Sequence, residues 1–298
     1  MKYFKYIALL LLVAVTMSSC DKKEVSYMVE PVDESAKAYV QVGYYAPVTT
    51  GAANYMYFID LNGVEYGNNG SSFLATYNTV PGGGTNRYYA VDAGQVNVKL
   101  HSRVSDGNGG YDYPVVYDQN VTVQPGKRYV IYVHDINEAP ILTEMTPAPE
   151  FDPALDTDSL CRVQFVNLIY EADGTPITDK VQYGLENLDT KEYELVGEPV
   201  AFGEVTSWIP VKIRKTVYNS SGYQNRKLCL YRIDANTGEN LGVLQYTKDD
   251  GSTADFYTTV YDSFGKTYWY IGRAYRNIGA GNCSSKSIRC ALYQFVVE

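Results

Sequence analysis

Two histidines, five cysteines and 34 carboxylates are the side chains of this 298-residue sequence that could carry acid–base, nucleophilic or metal chemistry. A serine triad needs an activated nucleophile beside a base and an orienting acid, yet neither a Gly-x-Ser-x-Gly elbow nor a His-Glu-x-x-His helix motif occurs. His101 and His134 each close an apolar run. A sandwich could bring them together, but they read as strand-end residues. Asp106-Gly-Asn-Gly-Gly-Tyr-Asp112 has oxygen ligands at alternate positions like the start of a calcium loop. Its glycine and distal glutamate are out of register, so a hairpin loop is expected. Asp249-Asp250 beside Gly251 reads as a turn, and glycine-rich Pro81 to Gly84 lacks the Lys-Ser/Thr of a phosphate loop. The expectation is a protein that is not an enzyme and has no catalytic, cofactor or metal residues.

Cysteine carries a different message. Lys2 and Lys5, the apolar run Ile7 to Val15 and the small residues before Cys20 form a secretory signal. The run is about half of the roughly 20 residues that span a bilayer. A cysteine at the cleavage point resembles the lipobox of bacterial lipoproteins, with Met17 standing where leucine is usual. This implies lipidation of Cys20, and two or three acyl chains at about 0.8 kcal/mol per buried methylene hold a protein on a membrane. Polar Asp21 to Lys37 reads as a tether. The remaining Cys161, Cys229, Cys283 and Cys290 are an even set in an exported chain. Disulfides Cys283–Cys290 and Cys161–Cys229 are expected, with buried free thiols as the alternative.

Aromatic residues point to contact. Trp208 and Trp269 are the two tryptophans, and Trp269 alternates with Tyr268 and Tyr270. Such rings either fill a core or present a platform that a sugar can stack on. Asp158-Ser159-Leu160 resembles an O-glycosylation sequon. A net charge of −9 disfavours nucleic acid as a partner.

The elements that hold these residues have a period of two. Val40, Val42 and Tyr44 alternate with Gln41 and Gly43, Val96, Val98 and Leu100 with Asn97 and Lys99, and Tyr129, Ile131 and Val133 with Val130 and Tyr132. Turn signals such as Asn62-Gly63 separate them, and thirty tyrosines suit partly exposed sheets. The class expected is all-β, in two tandem β-sandwich domains: signal 1–19, lipidated tether 20–35, first domain 36–136, proline-rich linker 137–157, second domain 158–298. Ala38-Tyr-Val-Gln-Val is echoed by Cys161-Arg-Val-Gln-Phe, with Val163 standing 123 positions after Val40. Gly126-Lys-Arg-Tyr-Val is echoed by Gly265-Lys-Thr-Tyr-Trp, 139 positions on. Tandem copies with loop insertions are the economical reading.

These opening strands, the approach Val200-Ala-Phe-Gly-Glu-Val-Thr-Ser-Trp-Ile-Pro-Val211 and the last strands resemble the domain of unknown function forty-three ninety-seven. That family occurs in lipoproteins of the Bacteroidota. The resemblance, over about residues 36–135 and 158–275, implies transthyretin-like or immunoglobulin-like sandwiches and no catalytic residues. The functional expectation is an outer-membrane lipoprotein displayed at the cell surface, acting as an interaction or adhesion module for a protein or glycan. The alternatives are a glycan-binding accessory lipoprotein and a fimbrillin-like assembly subunit. Related fimbrial subunits are cut after an arginine near the first domain, and no arginine lies between Cys20 and Arg87.

Overall fold

The computed structural model describes residues 35–48, 56–66, 88–152, 160–214, 220, 222–248, 250–277 and 290–297. The described chain is all-β: no helix occurs among these residues. Glu34–Glu298 form one compact unit. The signal, Cys20, Cys283, the sequon residues 158–159 and the Pro81–Gly84 stretch lie outside the described residues.

The first half holds β1 (Lys37–Tyr44), β2 (Met56–Leu61), β3 (Val64–Tyr66), β4 (Tyr89–Asp92), β5 (Gly94–Ser102), the small hairpin β6 (Val104–Ser105) and β7 (Tyr111–Asp112), β8 (Val115–Val123), β9 (Arg128–Val133) and β10 (Ile141–Glu144). One sheet runs β10-β9-β1-β4 and the other β3-β2-β5-β8. The second half holds β11 (Leu160–Tyr170), β12 (Lys180–Glu186), β13 (Tyr193–Val200), β14 (Ile209–Lys212), β15 (Gln224–Ile233), β16 (Asn240–Val243), the hairpin β17 (Gln245–Thr247) and β18 (Thr253–Asp255), β19 (Tyr257–Asp262), β20 (Thr267–Tyr275) and β21 (Ala291–Val296). Its sheets run β14-β11-β20-β21 and β13-β12-β15-β16, with β19 also on β15.

The echoes seen in sequence occupy matching places. Val40 pairs with Tyr129 across parallel β1 and β9, and Val163 pairs with Tyr268 across parallel β11 and β20. Gly126 N–H donates to Lys37 O at 2.7 Å, and Gly265 N–H to Leu160 O at 2.8 Å. Both glycines sit at positive φ, 73° and 65°, which only a residue without Cβ adopts freely. The hydroxyl of Tyr129 accepts from Gln124 N–H, and that of Tyr268 from Ser263 N–H. The Asn62-Gly63 turn has both residues at positive φ, 54° and 83°, as a tight hairpin requires.

Alternation decides which residues meet. Val96, Val98 and Leu100 of β5 point into a core shared with Val40, Val42 and Tyr44 of β1. Val163, Phe165, Leu228, Leu230 and Tyr270 are among those that fill the corresponding core of the second half. A third cluster joins the halves: Tyr45, Val130 and Tyr132 from one side, Val166, Leu168, Trp269 and Ile271 from the other. This is why β11 is buried on both faces, with only Leu160 less than fully buried.

The proline-rich stretch is more ordered than a linker. Residues 141–144 form β10 on β9, between Pro140 and Pro147, where missing N–H groups fall outside the paired segment. Trp208 Nε1–H then donates to Thr146 O at 3.0 Å, and Arg162 Nη2–H to Glu150 O at 3.1 Å.

Candidate functional site

The disposition of the expected site residues is mostly structural. Cys161 and Cys229 are free, buried thiols and form no bridge. The reason is strand parity: Cys161 joins the second core, whereas Cys229 alternates with core residues Leu228 and Leu230 and turns its Sγ outward to Gly184 O at 3.7 Å. Burial pushes the Cys229 thiol up to about 11 and the Cys161 thiol well above its usual range, so neither is a thiolate at neutral pH. Cys290 is buried in the second core, and its expected partner Cys283 lies outside the described residues.

Trp269, Tyr268 and Tyr270 are buried to 1 %, 1 % and 0 % exposure. They are therefore no platform for a ligand. Parity sends Trp269 between the halves, where its Nε1–H donates to Gln164 Oε1 at 3.0 Å, and sends the two tyrosines into the second core.

The histidines keep separate company. His101 stacks on Phe58 with ring centroids 4.2 Å apart and shares a 3.1 Å hydrogen bond with Tyr113 O through Nδ1. His134 Nδ1 meets the Tyr170 hydroxyl at 2.5 Å, and burial lowers the pKa of His134. Asp106 Oδ1 accepts from the N–H groups of Asn108 at 2.7 Å and Gly110 at 2.9 Å, which makes the suspected calcium loop a self-closed turn. Asp250 likewise accepts from Ser252 N–H and Oγ–H. Among the described residues no group of three His, Cys, Asp or Glu side chains gathers to hold a metal.

A groove that the sequence did not announce lies in the second half. It encloses about 380 Å³ between two consecutive edge strands, β13 of one sheet and β14 of the other. Val196 and Val211 supply apolar wall, and Lys212, Arg214 and Arg226 supply positive charge. Glu186, Asp189 and Glu194 supply the opposite sign. The β12–β13 turn is fixed by Asn187, whose Oδ1 accepts from the N–H groups of Asp189 at 2.8 Å and Thr190 at 3.2 Å. Asp189 is thereby held where both of its oxygens accept from the Arg214 guanidinium, and those hydrogen bonds keep its carboxyl below the usual range. Glu194 accepts from Asn187 Nδ2–H at 2.6 Å.

Two of the charges buried in this half are Arg226, at the groove, and Asp262, within reach of its field. Arg226 is 7 % exposed and donates from Nη2 to Lys212 O, while its Nε–H finds no acceptor among the described residues. Asp262 is 0 % exposed; its Oδ1 accepts from the Tyr270 hydroxyl and from Gln294 Nε2–H at 3.1 Å, and its Oδ2 has no donor among the described residues. Burial pushes the Asp262 carboxyl up to about 6, against the opposing pull of that hydrogen bonding and of Arg226. Their sequence signal is faint but present: Gln224 and Arg226 share the parity of Leu228 and Leu230 in β15, and Asp262 shares that of Val260 in β19.

No family model matches the chain, and no curated protein matches it. Solved structures do match. One is a leucine-rich repeat protein from Bacteroides thetaiotaomicron, 11 % identical, with a TM-score of 0.21 over 83 % of this chain and 27 % of that one. This chain therefore spans about a quarter of the length of that protein, and a likeness at this level carries no argument about fold or role.

Proposed function

We propose that the chain is a membrane-anchored lipoprotein displayed at the cell surface, built from two tandem transthyretin-like sandwiches and working as a non-catalytic interaction or adhesion module. The observation that carries this reading is the repetition of one strand plan. In each half, leaving aside the small hairpins and β16, which adds to β15 in the second half alone, the first strand pairs with the fourth and runs parallel to the seventh, while the second pairs with the third and fifth. Immunoglobulin constant domains instead group strands ABED and CFG, so the transthyretin-like alternative of the forty-three ninety-seven resemblance is favoured. A stack joined by buried sheet faces is a stiff spacer that presents edges and outer faces to a partner.

Fimbrillin-like assembly by strand donation is the lesser reading. β10 and β21 already occupy the place beyond the seventh strand in each half, so that edge is completed from within the chain. The anchoring part of the reading rests on the signal and Cys20. Cys20→Ser should move the protein from the membrane fraction to the soluble one, and protease added to intact cells should degrade the native form. A Cys20→Ser protein that stayed on the membrane, or full protection from protease, would overturn anchoring or display respectively.

A further inference from the structure

The two halves allow position-by-position comparison of their cores. Gly94 pairs with Val123 and Val96 with Val121 in the first, as Gln224 pairs with Asp262 and Arg226 with Val260 in the second. The tyrosine hydrogen bonds that follow, at Gln124 and Ser263, fix the same register. Arg226 and Asp262 thus stand where the first half has Val96 and Val123, at 0 % and 2 % exposure. The fold is satisfied by two valines there. Two buried charges that make no ion pair within 4 Å of each other are destabilising by comparison, and one of them, Arg226, lines the groove.

We infer that this groove binds the C-terminal end of an extended peptide, with Arg226 and Lys212 receiving its terminal carboxylate and the edge of β13, which has no further strand beside it among the described residues, pairing with its backbone. The charge of Arg226 is the one that suits a carboxylate, because Arg214 is already engaged by Asp189. A strand edge supplies unpaired N–H and C=O groups at the spacing of an extended chain, and a volume of about 380 Å³ falls in the range of small-ligand clefts. Asn187 to Asp189 wall the groove, so the seated chain terminates there. Glu186 and Glu194 at its sides favour a neutral or basic residue upstream of the terminus.

Asp262 bears on the field of Arg226. Around it stand Arg226 on β15, Cys161 on β11, Tyr183 on β12, Tyr268 and Tyr270 on β20 and Gln294 on β21. Of these only Arg226 is charged at neutral pH, so removing the negative charge of Asp262 leaves the positive field of Arg226 unopposed. Affinity for the carboxylate rises as a result.

The inference deepens the binding reading proposed above and is tested with the full chain in mild detergent. Titration calorimetry compares a short neutral peptide with a free C-terminal carboxylate against the same peptide amidated, and mass spectrometry follows the peptide during incubation. The free acid should bind about 10- to 100-fold more tightly than the amide, the range expected for losing a charge-assisted hydrogen bond. Arg226→Met should lose that preference, Lys212→Ala, at the exposed mouth, should weaken it several-fold, and Asp262→Asn should strengthen it. Equal binding of acid and amide, no binding at millimolar peptide, a wild-type response from Lys212→Ala, or preferential binding of glucuronate would each overturn the inference. Because Arg226→Met leaves Asp262 buried alone, its circular dichroism is recorded, and the Lys212→Ala result stands if that variant fails to fold. A peptide left intact and unbound overturns this assignment only. A peptide that is cleaved overturns the non-catalytic reading instead.

Discussion

The outer face of β3-β2-β5-β8 and the outer face of β13-β12-β15-β19 have one lattice and opposite chemistry. Across the first, Glu65, Asp60, Lys99 and Asp118 stand in a cross-strand row; across the second, the same row reads Leu195, Gly184, Cys229 and Tyr257. The first is a solvated ionic face, with Asn97 Nδ2–H donating to Asp118 at 2.7 Å. The second exposes Leu195, Tyr257 and Tyr261 at 44 %, 49 % and 50 %. Inside, the contrast reverses: valines in the first core answer to Arg226 and Asp262 in the second. A fold needs alternation and turns, and both halves have them. What stands at each alternate position is free to diverge, so the second half departs from the usual apolar-in, polar-out pattern at these positions.

The comparison can be broken most severely where the halves meet. Trp269 and Val130 occupy equivalent places in the third cluster, each following the tyrosine that caps the preceding turn. Trp269→Ala should cost about 3–5 kcal/mol by urea denaturation, since it opens a cavity and leaves Gln164 without its donor. Val130→Ala, which removes less volume, should cost distinctly less. Equal losses would mean that the cluster does not bind the halves together.

The buried charges offer a sharper version. Arg226→Val alone should cost about 1–3 kcal/mol, because Lys212 O loses its donor and the buried Asp262 loses the nearby positive field. Transplanting the whole first-half set, Arg226→Val with Asp262→Val and Tyr270→Ile (the counterpart of Ile131), should be neutral or stabilising by about 1–4 kcal/mol. A triple variant as unstable as the single would refute the equivalence of the two cores.

Titration gives the next effect. The folded carboxyl of Asp262 lies near 6, above its ordinary 3.8, so the folded state holds its proton more firmly than the unfolded chain does. Its contribution to stability is therefore full below about pH 4 and is lost as pH rises through 6. Between pH 4 and pH 7 the native protein should lose about 2–3 kcal/mol relative to Asp262→Asn. Parallel stability curves for the two would show that the carboxyl is not desolvated. The smallest effect belongs to the ionic face, where Lys99 and Asp118 are 3.9 Å apart and partly exposed. Lys99→Ala should change stability by less than about 0.5 kcal/mol.

How much of this was legible in the chain differs by element. Period-two alternation gave the strands, Asn62-Gly63 gave a turn, and the echoes at Val40/Val163 and Gly126/Gly265 fell on equivalent pairs. Even the burial of both sheet faces had a trace, since the residues alternating with Tyr129, Ile131 and Val133 are Val130 and Tyr132, also apolar. The proline-rich stretch misled, because its prolines flank a short strand and do not interrupt it. The cysteine pairing misled for a different reason. Parity within a strand is local, whereas which sheet face meets which is not.

The sequence by itself determined the all-β class and the turn at Asn62-Gly63, because hydrophobic alternation and positive-φ positions act over a few residues. Only the tertiary structure decided that Trp269 is an inner joint, that Cys161 and Cys229 face opposite ways, and that Arg226 and Asp262 are buried, with Arg226 lining a groove. Those facts depend on packing one sheet against another across residues distant in the chain. No local periodicity encodes which faces will meet.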